Sequence, residues 1–247
     1  MRLWPAAIAV IMSGVQPVAA QIATVSILEA EFAEPTTRYG HDALGRGAEW
    51  GGLAFELDLC PGCATTRPGH VDVRLEPNRV FEDTAPRLMD LDGDGAADAV
   101  VVVESDLALG SRLAIWSPSG FVAGTPFVGA PRSWLAVAGI ADLDGDGSIE
   151  FAYVERPHVA PVLMVWQLRD REFAKIAELP GLSNHRFGEP RIEGGVRVCG
   201  GVAELVMADA GFANIMAVRL QGGTLSARAL APYDRPATMR AIMDCRI

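Results

Sequence analysis

Two loops of one design hold most of the ionisable chemistry legible in this chain. Asp90-Leu-Asp92-Gly-Asp94-Gly-Ala96-Ala-Asp98 and Asp142-Leu-Asp144-Gly-Asp146-Gly-Ser148-Ile-Glu150 each place carboxylates at loop positions 1, 3, 5 and 9, with glycines at 4 and 6. Four acids in so short a stretch repel one another unless a cation sits among them. Oxygen-only donors on a flexible loop suit a hard ion that accepts six to eight oxygens, so calcium is expected before magnesium or zinc, one ion per loop. The glycines permit the positive φ angles that wrap a short backbone around an ion. Without a metal, the same residues would be two acidic turns.

The loops do not follow the EF-hand pattern, which needs a bidentate acid at position 12. Here that position is Val101 in one loop and Tyr153 in the other. The residues that follow, Ala99-Val-Val-Val-Val103 and Phe151-Ala-Tyr-Val154, are β-branched or aromatic runs that predict buried strands, not a helix. The ninth-position acid therefore closes each loop just as a strand begins.

This unit repeats. Gly93 recurs as Gly145, and each loop is followed by a strand and then a second one, Leu113–Trp116 or Leu163–Trp166. A turn signal comes next, Pro118-Ser-Gly120 or Asp170-Arg171, and then a further strand, Phe121–Ala123 or Phe173–Ile176. Two weaker copies flank these. His41–Glu49 copies the loop upstream and leads to Val71–Leu75, whereas Gly195–Glu204 is a fourth copy leading to Glu204–Ala208, Ile215–Leu220 and Leu225–Ala229. Four antiparallel strands in units of about 50 residues predict an all-β fold, a β-propeller of four-stranded blades. Thr24–Phe32 and Met239–Met243 read as terminal strands that could share a last blade, or form a thin fifth, and protect both open edges; an open array closing by dimerisation is the alternative.

The intact loops resemble those of the FG-GAP/VCBS repeat proteins, whose calcium-loaded blades also build the integrin α-chain propeller. The resemblance covers the chain as a pattern of units, and its specific motif is complete only in units two and three. It implies metal ligation by the side chains of Asp90, Asp92, Asp94, Asp98, Asp142, Asp144, Asp146 and Glu150, with the carbonyls of Ala96 and Ser148 completing each cage. It implies no metal in unit one, where Asp42 and Glu49 remain, or in unit four, where Glu204 remains. It also implies recognition of a ligand or protein on one propeller face.

Residues 1–20 carry one early positive charge, an apolar stretch and a Val18-Ala19-Ala20 end, which reads as a secretory signal peptide cleaved before Gln21. It is too short and interrupted for a spanning helix, and 21–247 reads as one domain, periplasmic or secreted. Half the residues are hydrophobic and the formal net charge is −10, which gives a sizeable core and no electrostatic footprint for nucleic acid or anionic lipid. Export favours disulfides for the four cysteines. Cys60 and Cys63 suit a local staple more than a redox motif, and Cys199 with Cys245 would clamp a C-terminal strand to unit four; crossed pairings stay open.

Motifs for catalysis are missing: the sequence has no Gly-x-Ser-x-Gly elbow, no His-Glu-x-x-His and no phosphate-cradling loop. Loops entering the first strand of each unit contribute Arg38, Arg87, Trp134, His185 and Arg186, and those leaving the second contribute Glu104, Asp106, Glu155, Arg156, His158 and Asp209. An aromatic beside arginines and carboxylates could hold a sugar or a peptide terminus; solvated loop ends around a packed tryptophan are the plainer reading. Trp116 and Trp166 occupy matching positions and are expected in the core between units. The expectation is a calcium-binding module with a protein or glycan ligand. The competing one is a carbohydrate- or polymer-active hydrolase or lyase, which requires paired carboxylates in the propeller channel.

Overall fold

The computed structural model describes residues 25–234 and 236–246; the expected signal peptide lies outside the described residues. Strands dominate, as expected of an all-β chain. Unit one comprises β1 (Ser26–Thr36), β2 (Glu49–Asp58) and β3 (Pro68–Arg74). Unit two comprises β4 (Arg79–Phe81), β5 (Arg87–Met89), β6 (Ala99–Asp106), β7 (Gly110–Ser117) and β8 (Gly120–Gly124). Unit three is β9 (Leu135–Ala141), β10 (Glu150–Glu155), β11 (Val162–Arg169) and β12 (Glu172–Pro180). Unit four is β13 (Leu182–Ser183), β14 (Gly195–Cys199), β15 (Val202–Asp209), β16 (Asn214–Gln221) and β17 (Thr224–Pro232), followed by helix α1 (Pro236–Met243).

Unit three alone is a plain four-stranded antiparallel meander. In unit two the inner strand is broken: β4 pairs one end of β6 and β5 the other, so Phe81 lies opposite Glu104 and Arg87 opposite Val101. Asp83 bridges the gap. Its Oδ2 accepts the Val103 amide at 2.9 Å, while the Glu82 amide donates to the Val103 carbonyl at 3.1 Å, so neither backbone group of Val103 is left buried and unpaired. Unit four has the same break, with β13 and β14 both pairing β15. Phe81 also pairs Trp50 of β2, which fuses units one and two into one eight-stranded sheet.

The continuous apolar run of β6 follows from burial on both faces. Val100 and Val102 pack into a cluster with Leu53, Phe55 and Trp116 shared with unit one, and Ala99, Val101 and Val103 into one with Phe151, Tyr153 and Trp166 shared with unit three. Each fully buried valine contributes roughly 1.5–3 kcal/mol. Trp116 and Trp166 are both buried between units as expected, Trp116 in the cluster shared with unit one and Trp166 in the cluster shared with unit two. A third cluster joins units three and four through Val154, Val165, Leu205 and Met207.

The two ends depart from the expected shared blade. β1 pairs β2 along its whole length as the inner strand of unit one, because Ile27, Ala30 and Phe32 then face Leu57, Phe55 and Leu53 on the core side. Met239–Met243 belongs to α1 and not to a strand. Pro236 fits a first helical turn, and Met239 and Ile242, three apart, bury one face against Val206 and Ile215. Helix α1 thus covers the outer face of unit four, whereas the outer face of unit one is polar, with Glu56, His70 and Asp72 exposed. Among the described residues no strand pairing joins unit four to unit one. Loops meet there instead: the Gly188 amide donates to the Ala43 carbonyl at 2.9 Å and Arg46 donates to the Pro190 carbonyl at 3.2 Å.

Candidate functional site

The two acidic loops are near copies in three dimensions. In unit two, Asp90 accepts the amides of Gly93 at 2.7 Å and Gly95 at 2.8 Å, Asp92 accepts Asp94, and Asp94 accepts Ala96 at 2.8 Å. In unit three, Asp142 accepts Gly145 at 2.7 Å and Gly147 at 3.0 Å, Asp144 accepts Asp146, and Asp146 accepts Ser148 at 2.7 Å. These bonds need positive φ at the second glycine of each loop, +92° at Gly95 and +88° at Gly147, which only glycine adopts without strain. Asp92 and Asp94, like Asp144 and Asp146, each commit one carboxylate oxygen and keep the other.

The result is two triads, Asp90–Asp92–Asp94 and Asp142–Asp144–Asp146, each offering one oxygen per residue within 4.8 Å of the others. The donor set fits a hard divalent cation. The ninth-position acids close the loops from behind: Asp98 accepts the Leu91 amide and Glu150 the Leu143 amide, each at 2.8 Å. They are not among the three oxygens drawn together. Leu91 and Leu143 turn inward and pack on the core clusters, which fastens each loop to its unit.

Electrostatics sharpens this arrangement. Burial, then the neighbouring Asp92 and Asp90, push Asp98 above the usual carboxylate range. Burial with Asp144, Asp146 and Asp142 does the same to Glu150. Asp90 moves the other way, held down by the Gly95 amide and then those of Gly93 and Asp94. The loops therefore hold like charges together by backbone donors alone, an arrangement that a bound cation would relieve.

Units one and four solve the same problem without clustered acids. Glu49 accepts the amides of His41 at 2.9 Å and Asp42 at 3.1 Å, and Asp42 accepts Arg46 and Gly47, so the remnant loop is satisfied by peptide groups. In unit four the expected loop over 195–204 is instead a tight hairpin turning at Gly200-Gly201, with residues 195–199 already in β14. Glu204 there is buried between two guanidiniums, 2.7 Å from Arg197 and 2.7 Å from Arg228. Although burial opposes it, these two cations hold its carboxyl below the usual range.

The five expected ligand-face residues separate. Trp134 and His185 come together at 4.8 Å between ring centroids, and both are buried. Trp134 donates to the Glu82 carbonyl at 2.8 Å and stacks on His158. His158 and His185 share a 2.7 Å hydrogen bond, and His185 Nε2 lies 2.7 Å from the Glu189 carbonyl. Burial, then the neighbouring His185 and His41, push His158 down to about 4. Arg87 forms a bidentate pair with buried Asp83 at 2.7 and 2.9 Å, and Arg38 donates to the Arg79 carbonyl. Arg186 lies over the rings of Phe212 and Tyr233 at 3.8 and 4.8 Å.

Inner strands β5, β9 and β14 line a shared apolar groove of about 400 Å3 whose one ionisable side chain is Arg87. Paired carboxylates for hydrolysis do not line it. Both expected disulfides are present, Cys60–Cys63 in the β2–β3 hairpin and Cys199–Cys245. The second ties the residues after α1, not a strand, to β14. No helix among the described residues is long and apolar enough to cross a membrane. Comparison with protein-family models gives no match, and comparison with curated proteins likewise gives none.

Glu104, expected on a loop leaving a second strand, is instead buried in β6 and accepts from Arg79, Arg112 and Trp116. Sequence reasoning named His158 and His185 on separate loops and missed the link between them. The pairing of Glu104 had a faint signal in Arg112, which faces it across the β6–β7 hairpin; the histidine link had none.

Proposed function

We propose that this chain is an exported, calcium-binding repeat protein of the FG-GAP/VCBS type, built as a β-propeller-like array, that works as a non-catalytic binding module. The observation that carries this reading is the pair of carboxylate triads, alike in spacing, hydrogen bonding and position before the second full strand of their units. A calcium ion in each would draw on Asp90, Asp92, Asp94 and Asp98, or on Asp142, Asp144, Asp146 and Glu150, with the Ala96 and Ser148 carbonyls. Its task is structural: it cancels the repulsion in the loop and fixes where β6 and β10 begin. At a free ion concentration about a hundredfold above Kd, each site adds roughly 2.7 kcal/mol of stability.

The two disulfides suit a periplasmic or secreted location. The binding partner is a protein or a glycan, and nucleic acid is disfavoured by the acidic balance. The apolar groove lacks the acids that a hydrolase or lyase would need there. Thermal unfolding of residues 21–247 in chelator, magnesium and calcium tests the reading. A large upward shift specific to calcium supports it; identical curves would reduce the loops to acidic turns.

A further inference from the structure

Charge is divided unevenly along this chain. Residues 182–247 hold eight arginines against six acids, whereas residues 1–181 hold 13 basic residues against 25 acids. The cationic end of an acidic protein concentrates anions near it. At that end, between α1 and the loop formed by residues 186–194, lies a cavity of about 490 Å3, within the roughly 300–1,000 Å3 range of small-ligand sites.

Its lining has two parts. Ile192, Pro236 and Met239 supply apolar surface, and Arg191 of the loop and Arg240 of the helix both line the cavity. Among the described residues neither guanidinium has a hydrogen bond or ion pair, whereas the other charged groups nearby are largely committed. Arg186 lies over two rings and bonds the Tyr233 hydroxyl, and Glu193 accepts from that same hydroxyl. Glu189 is the one carboxylate of the lining left to oppose two uncommitted cations.

The walls are fixed before any ligand arrives. Met239 and Ile242 bury the inner face of α1, Arg197 donates to the Ile242 carbonyl at 3.0 Å, and Cys199–Cys245 ties the residues after the helix to β14. On the loop side, His185 is bonded to His158 and the Glu193 amide to the Asn184 carbonyl at 2.8 Å. A rigid site loses little ordering entropy on binding.

We propose that this cavity binds a carboxylate carried on an apolar body, with Arg191 and Arg240 holding the carboxylate by charge-assisted hydrogen bonds and Ile192, Pro236 and Met239 packing the body. The inference rests on the binding-module reading and names its ligand class. Two sources share this chemistry, a free aliphatic acid and the C-terminus of an apolar peptide.

Calorimetric titration of the calcium-loaded protein with octanoate and octanamide, and with an acetylated Ala-Ile-Leu peptide as free acid and as amide, tests it. We expect at least one carboxylate to bind, its amide to bind at least about tenfold more weakly, and an Arg191→Gln/Arg240→Gln variant to lose about the same factor with unchanged melting. Tighter binding of the peptide acid identifies a peptide terminus; tighter binding of octanoate identifies a free acid. Equal affinity for acid and amide, no binding of either acid at low-millimolar concentration, or full affinity in the double variant would overturn the proposal. A calcium-dependent melting shift on the same sample reports separately on the metal reading.

Discussion

The Gly188 amide of unit four donates to the Ala43 carbonyl of unit one at 2.9 Å, so the last and first units touch through loops although no strand among the described residues pairs them. Arg46 reinforces the seam by donating to the carbonyls of Thr84 and Pro190, from units two and four. The remnant loop of unit one, in which peptide amides satisfy both remaining acids, thus serves as a contact point between units.

Removing one triad member tests whether the acids work through a metal. Asp92→Ala or Asp144→Ala should lower the melting temperature in calcium by about 5–10 °C, from roughly 2.7 kcal/mol per site and 2–4 °C per kcal/mol. In excess chelator the variants should melt close to the parent, followed by circular dichroism. An equal loss in both conditions would mean that the acids act through backbone hydrogen bonds alone.

Glu204 should make unit four acid-sensitive. Its folded pKa lies below the ordinary 4.5, so its contribution is present above that value and lost as pH falls through the folded pKa. Glu204→Gln leaves Arg197 buried without its carboxylate partner and should cost about 3 kcal/mol at neutral pH. Urea unfolding at pH 7 and pH 3 should show the gap between variant and parent narrowing in acid.

His158 predicts a second, higher window. Its folded value of about 4 lies below the ordinary 6.5, so between these values the unfolded chain takes up a proton that the folded chain does not. Stability should fall as pH drops from about 6.5 towards 4. His158→Gln should flatten that slope relative to the parent in chemical denaturation from pH 7 to 5, and an unchanged slope would contradict the buried neutral imidazole.

Gly194 and Gly201 share a left-handed backbone, φ +82° and +80°, but differ in surroundings. A Cβ at Gly194 would overlap the Val206 carbonyl, whereas one at Gly201 meets open space. Gly201→Ala should therefore cost about 1 kcal/mol from conformation alone, and Gly194→Ala clearly more. Equal losses by urea unfolding would contradict the close packing of the loop before β14 on β15.

Legibility in the sequence tracked the range of the forces involved. Acidic loops, turn dipeptides and β-branched runs act locally, and Asp90–Asp98, Asp170-Arg171 and Val100–Val103 took their expected places. The two disulfides followed the expected pairing, and the matching tryptophans kept their shared role. Met239–Met243 was misread because five residues are too few to separate a helical period from a strand, although Pro236 marked the helix start. The partner of β1 and the breaks in the inner strands depend on tertiary pairing: Asp83 substitutes for a strand residue at Val103, and nothing near it in sequence announces that. The Trp134–His158–His185 cluster joins residues from separate loops and surfaced only with the fold.

Calcium stoichiometry measures the central claim most directly. Equilibrium dialysis of residues 21–247 against millimolar calcium, with metal counted by atomic emission, should find two ions per chain and one in Asp144→Ala. No bound calcium in the parent would contradict the account of both loops.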